Sequence, residues 1–437
     1  MNPLRPLLVV FALLGQPALG QPEPVADQMY RPVNRAAAEV GRLLFWDPVL
    51  SGNRNISCGT CHHPRFGTGD GLSLGMGEGG IGLGPERVAD PENMPEERIP
   101  RNAPALFNLG AREFTVLFHD GRIEVDPSRP GGFRTPLEGD MMQGFDTLLS
   151  AQTMFPVLSQ DEMAGHYSEN EVSRAVRQGR LTGKGGAWDL IAARVRAIPQ
   201  YVEMLGAAYP DIAAGREADF TDISNAIAAF MEFEWRSDSS PFDAALRGET
   251  PLSGPAANGQ ALFYGDAGCA DCHAGPFLTD HRFHAMGAPQ IGPGKAARFE
   301  RHARDVGRMR VTGRDEDAFA FRTPSLRNVA LTAPYGHAGA HRTLPGFLAD
   351  HGRADWAAYD RAQAVLPGLE GMDDWLTLDD PAETEAVKAA LANPAPVLSD
   401  ADIAALVAFL ESLSDPVARS GRLGIPQAVP SGLPLDR

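Results

Sequence analysis

The sequence predicts a mainly α fold with long loops and few short strands, and three observations predict it. Apolar residues recur at helical spacing in several separate stretches, while strand-like alternation is rare and brief. Glycine and proline are abundant (Gly 47, Pro 36), as in a chain that wraps something more than it builds regular layers. The third observation is a repeat: Cys58-Gly59-Thr60-Cys61-His62 and Cys269-Ala270-Asp271-Cys272-His273 are two C-x-x-C-H runs, and together they use every cysteine of the chain.

C-x-x-C-H is the attachment motif for c-type haem. Its two thiols can form thioethers to the porphyrin, and the adjacent histidine can reach the iron. Two cysteine pairs also fit an all-thiolate zinc site, and one pair a thioredoxin-like dithiol. Neither explains a histidine directly after both second cysteines. The expectation is therefore two covalently bound c-type haems in two cytochrome c-like haem domains. With 437 residues, 43% of them hydrophobic, the chain is long enough for two or three cores.

In order along the chain, residues 1–20 read as a secretory signal peptide: Arg5, an apolar run from Leu7 to Leu14, then the small residues Ala18 and Gly20. That run is too short to span a membrane, and no later segment qualifies as a membrane span. Export to the periplasm follows, with the signal removed. Residues 21–165 form an N-terminal haem domain, opening with a short helix over Ala36–Phe45. The stretch 67–100 reads as a long loop. It contains Gly75-Met76-Gly77-Glu78-Gly79-Gly80, a formal G-x-G-x-x-G, but without the flanking strand and helix a dinucleotide site requires.

Residues 166–253 form a helical connection and linker. Ala187–Tyr209 has helical spacing broken near Pro199, Ile223–Trp235 reads as a helix capped by Thr221 or Asp222, and Arg236–Gly254 reads as the linker. Residues 254–437 form a C-terminal haem domain, with a helix over Asn258–Phe263 and a closing helix over Ser399–Leu413. The formal net charge of −17 argues against nucleic acid and anionic membranes as partners. His281 and His284 read as structural or surface residues, and the acidic run Asp373, Asp374, Asp379 and Asp380 as a solvated loop or a donor-docking face.

Further motifs carry a resemblance. Gly41-Arg42-Leu43-Leu44-Phe45, Ser57-Cys58, Arg101-Asn102-Ala103-Pro104 and Asp120-Gly121-Arg122 occur in that order. Phe321 to Asn328 (FRTPSLRN) and Ala333-Pro334-Tyr335-Gly336-His337 follow. Over nearly the whole mature chain this resembles the bacterial di-haem cytochrome c peroxidase superfamily, which includes the MauG-type protein-modifying enzymes. The resemblance implies a peroxidatic haem on Cys58, Cys61 and His62, an electron-transfer haem on Cys269, Cys272 and His273, and a calcium ion between them. For calcium it carries over the side-chain oxygen of Asn102 and the carbonyls of Thr332 and Pro334, an all-oxygen set that suits a hard cation.

For peroxide chemistry the resemblance points to Pro156–Met163 (PVLSQDEM). Glu162 is then the acid-base carboxylate, which takes a proton from one peroxide oxygen and returns it to the other. Gln152 and Pro156 would line the distal pocket. A distal histidine that closes the first haem in many relatives would come from the stretch between His62 and Arg101. That stretch offers only His63, poorly placed beside the proximal ligand, and Met76, so the first haem is expected to be open. For the second haem, counting fourteen residues from His337 reaches His351, which predicts bis-histidine ligation and a lowered potential; His341 is a rival.

His119 stands where the family usually has a tryptophan relay. Either transfer tunnels past it, or another aromatic takes over, or it serves as a hydrogen-bonded interdomain residue. The reading is an exported peroxidase that takes electrons from a small redox protein, a cytochrome c or a cupredoxin, and reduces hydrogen peroxide. Two alternatives remain: MauG-like oxidation of aromatic residues in a partner protein substrate, and a non-catalytic di-haem electron carrier.

Overall fold

A computed structural model describes residues 22–295, 302–354, 356–392 and 394–436. The expected signal peptide lies outside the described residues. Among the described residues no helix is long and apolar enough to cross a membrane.

Two helix pairs frame the molecule. Helix α1 (Arg35–Trp46) begins at Asn34, whose side chain accepts the Ala37 N–H, and buries Val40, Leu44, Phe45 and Trp46. It packs on helix α2 (Phe220–Glu234). Helix α3 (Gly254–Phe263) packs in the same manner on helix α4 (Asp400–Glu411), which carries a Ser399/Asp402 capping box. Each crossing has a glycine at closest approach. A Cβ on Gly41 would lie 1.8 Å from the Ala226 carbonyl oxygen, and one on Gly259 would lie 1.9 Å from that of Ala405. Only a residue without a side chain lets the two backbones meet there.

The sheet content is slight: Gly80–Ile81 with Val88–Ala89, Val116–Leu117 with Ile123–Val125 and Phe133–Arg134, and Phe283–His284 with Phe321–Arg322, all antiparallel. The larger core gathers α1, α2 and the helices Ala187–Arg196 and Pro199–Ala208. The second core gathers Phe242, Phe263, Leu278, Phe409 and their neighbours. The tail crosses between them: Ala418, Val429 and Leu435 pack onto the larger core, although they follow α4 in sequence.

Three expectations are corrected. Helix α2 begins earlier than expected and is capped by Asp219, which accepts from Thr221 and Asp222; starting there buries Phe220 against Trp188, with ring centroids 6.5 Å apart. Within the expected linker lies a helix, Pro241–Leu246, because Phe242 is fully buried against Phe409 and Asp243 pairs with Arg327 at 2.7 Å, both fully buried. The acidic run is not simply solvated. Asp374 pairs at 2.7 Å with Arg98, which is buried, Asp379 pairs with Arg361, and Asp380 caps the helix Pro381–Ala389.

Candidate active site

The first C-x-x-C-H sits on a single helical turn, Cys58–Cys61, that starts at Ser57, whose N–H donates to the Thr60 hydroxyl. The ring of Trp46 lies against Gly59, where a Cβ would come within 2.3 Å of it. The chain then turns so that Nδ1 of His62 lies 2.9 Å from the Thr68 carbonyl. In the second site Nδ1 of His273 lies 3.2 Å from the Leu278 carbonyl. Carbonyls of Pro104 and Pro324 add a further hydrogen-bonding influence on His62 and His273 respectively. A carbonyl at Nδ1 fixes the tautomer that leaves Nε2 able to coordinate a metal.

Burial holds both imidazoles below their usual range, so they are neutral. It also pushes the thiols of Cys58 and Cys61 up to about 12. None of the four cysteines is in a disulfide. A cavity of about 770 Å³ is bounded by Cys269, Cys272 and His273 on one side and by His351, Phe347 and Leu406 on others. This donor set and this mostly apolar space fit a covalently held haem. His351 closes the helix Leu344–Asp350. Burial, with His273 and His341 adding to it, pushes its imidazole down to about 4. His341 turns elsewhere, its Nε2 2.8 Å from the Asp350 carboxylate.

Glu162 lies on a widened helical turn, Gln160–Ala164, in which the Ser159 carbonyl accepts the N–H groups of Glu162, Met163 and Ala164. The turn is pinned from outside, because the Glu78 N–H donates to the Asp161 carbonyl at 2.9 Å. Burial pushes the Glu162 carboxyl up to about 7, opposed by the charge of Arg122. Its own charge reaches the Cys61 thiol, so the carboxyl is near the first haem-binding motif. Gln152 has a buried Oε1 without a partner among the described residues, and Pro156 opens a short turn, Pro156–Leu158. Met76 is buried in the wall of the 67–100 loop, where Arg87 donates to its carbonyl and to those of Gly77 and Gly82.

Between the two motifs, His119 lines the large cavity, and its Nε2 donates to the Asn102 carbonyl at 3.1 Å. Burial and the nearby Arg101 push His119 down to about 3, so it is a neutral hydrogen-bonding imidazole. Asn102, Thr332 and Pro334 line the same cavity, with Asn102 turning Nδ2 to the Leu72 carbonyl. His281 faces Glu113 at 2.9 Å and His284 faces Asp280 at 2.8 Å. Sequence reasoning missed the buried triad Asp120–Arg101–Asp305, with contacts of 2.7 and 2.5 Å, which ties residues 101 and 120 to the second half. It used His337 only as a landmark and gave it no role; the ring stacks on Phe321 at 3.8 Å with a buried Nε2 that has no partner among the described residues.

The family model for di-haem cytochrome c peroxidase matches residues 35–251. The chain is 29% identical over 337 residues to the methylamine utilization protein MauG of Methylorubrum extorquens, covering 76% of this chain and 72% of that one. It is 28% identical over 334 residues to the cytochrome c551 peroxidase of Pseudomonas aeruginosa, covering 76% of each. The chain belongs to the di-haem cytochrome c peroxidase and MauG family.

Membership makes it a di-haem peroxidase-type oxidoreductase with two c-type haems, which sets aside the non-catalytic electron carrier. Solved structures share its fold. A MauG-like protein associated with microbial copper homeostasis aligns with a TM-score of 0.58 at 24% identity, covering 94% of this chain and 97% of that one. The di-haem peroxidase BthA of Burkholderia thailandensis aligns at 0.57 and 21% identity, covering 98% and 97%.

Proposed function

We propose that the chain is an exported, periplasmic enzyme that reduces hydrogen peroxide at the haem held by Cys58, Cys61 and His62. Electrons arrive through the haem held by Cys269, Cys272, His273 and His351. In this reading residues 21–165 form the peroxidatic unit, 166–253 the helical connection, and 254 onward the electron-transfer unit. The haems supply the iron and the redox chemistry. Glu162 supplies the proton chemistry: its carboxylate takes the proton from the near oxygen of peroxide and hands it to the departing one, so that water leaves. Gln152 and Pro156 shape the space beside it, and Arg122 favours the ionised form.

The observation that carries the reading is the position and environment of Glu162: a carboxyl that burial brings to about 7, on a pinned turn beside Cys61. A general base works best when its pKa lies near the working pH. Calcium held by Asn102, Thr332 and Pro334 belongs to the proposal and rests on the resemblance, as does a small cytochrome or cupredoxin as donor. The test is to add stoichiometric peroxide to the oxidised haem-loaded protein and follow the haem bands with and without reduced donor. Rapid turnover with donor supports the peroxidase reading, and an unreactive haem refutes it.

One observation favours a second reading, oxidation of aromatic residues in a partner protein. His119, the residue that stands in the relay place, is neutral, half-buried and hydrogen-bonded, and an imidazole is harder to oxidise than an indole. In the same experiment this reading expects reaction with peroxide but no turnover by small donors.

A further inference from the structure

The glycine-rich run that matches G-x-G-x-x-G in form holds a buried carboxylate at its centre. Glu78 is 1% exposed. Its Oε1 accepts from the Nδ2 groups of Asn53 at 2.9 Å, Asn55 at 2.8 Å and Asn93 at 2.8 Å. Its Oε2 is buried with no partner among the described residues. A second carboxylate closes the group: Oε2 of Glu169 accepts from Asn53 at 2.6 Å and from the His166 N–H at 2.9 Å. Among the described residues neither carboxylate has an ion pair with lysine or arginine; only the His166 ring stands near, at 3.6 Å from Glu169. A buried carboxylate without a cation is an unbalanced charge, and neutral amides compensate it only in part.

The flanking glycines are there so that the backbone can close on this group. A Cβ on Gly79 would lie 2.2 Å from the Asn93 carbonyl oxygen, and one on Gly77 would lie 2.1 Å from that of Asp161. The oxygen and nitrogen of an asparagine amide exchange places by a half-turn of the same group. After that turn Asn53, Asn55 and Asn93 present oxygens where they now present N–H groups, beside the two carboxylates. Asn170, which now donates to Asn53 Oδ1, keeps its bond to the Ala164 carbonyl.

We propose that Glu78, Glu169, Asn53, Asn55 and Asn93 form a calcium site, separate from the Asn102 set. Carboxylate and amide oxygens on loops, able to supply most of about six to eight ligands, suit calcium better than a softer or more rigidly octahedral ion. Two carboxylates balance its charge, and Asn55 and Glu169, both exposed, give it a way in. Glu78 also holds the turn Gln160–Ala164 through the Asp161 carbonyl, and Asn170, the neighbour of Asn53, holds it through the Ala164 carbonyl. Calcium therefore orders that turn.

The test uses the haem-loaded protein stripped with a chelator and titrated with calcium chloride by calorimetry, with bound calcium counted by elemental mass spectrometry. Wild type should hold one more calcium per chain than Glu78→Gln, or bind it about 10- to 100-fold more tightly. Asn102→Ala should keep this ion. Glu169→Gln, at the exposed rim, should weaken the same ion even if Glu78→Gln fails to fold. Calcium should also slow amide exchange across residues 159–170 in wild type but not in the Glu78 variant. Equal calcium content and affinity in wild type, Glu78→Gln and Glu169→Gln would overturn the site, whatever the fate of the peroxide chemistry.

Discussion

Replacing Glu162 with glutamine removes the ionisable proton while keeping the shape of the side chain, so it tests the acid-base assignment with little disturbance of packing. The magnitude follows from the environment. With the carboxyl at about 7, roughly one molecule in eleven carries the carboxylate at pH 6 and roughly ten in eleven at pH 8. The rate of reaction with peroxide should rise about tenfold across that interval and level off above it. In Glu162→Gln the rise should vanish and the plateau should fall by about 10²- to 10⁴-fold, the usual contribution of a positioned acid-base group. The assay is stopped-flow mixing of oxidised haem-loaded protein with peroxide, from pH 5 to pH 9. Unaltered rates and an unaltered pH profile in the variant would refute the assignment. Stability moves the other way. Between the ordinary value of 4.5 and about 7 the folded chain holds a proton that the unfolded chain has released, so this group lowers stability as pH rises through that window.

Three more outcomes are expected. His351→Ala should remove one low-spin signal from the haem spectrum, and His351→Met should raise the potential of that haem in a redox titration. Arg101→Met leaves Asp120 and Asp305 buried without their shared cation, and should cost about 3–5 kcal/mol in denaturant unfolding of the haem-loaded protein. Gly259→Ala and Gly41→Ala force a methyl into a neighbouring backbone carbonyl and should each cost about 1–3 kcal/mol or more, whereas Gly139→Ala, which meets nothing within 4 Å, should leave the melting temperature unchanged.

Local signals told most where the chemistry is local. The repeated C-x-x-C-H, the Ser399/Asp402 box of α4 and the break at Pro199 are each written in a few adjacent residues, and the helices follow them. The start of α2 was misplaced because Phe220 is recruited by Trp188, a partner that no local pattern contains. The helix at Pro241–Leu246 was hidden for the same reason: its anchors, Phe409 and Arg327, are far away in sequence. At the site, position 162 could be named only through the resemblance, since nothing near it in sequence announces that burial will shift its carboxyl. The triad around Arg101 joins positions 101, 120 and 305, and a charge that is buried rather than solvated cannot be told from composition. The carbonyls that orient His62 and His273 are invisible to any reading of side chains.

The returning tail has a consequence for how the molecule is made. The Glu234 carboxylate accepts the N–H groups of Arg422, Leu423 and Gly424, and Asp47 accepts from the hydroxyl of Ser431. Both acids are buried, and their donors follow them in sequence by 188 residues or more. The core that holds both acids therefore stays unfinished until that later stretch arrives. A fragment cut after the helical connection would leave the Glu234 carboxylate stranded in its interior and Asp47 held only by Tyr201 and Val49, so residues 420–435 act as the latch of that core.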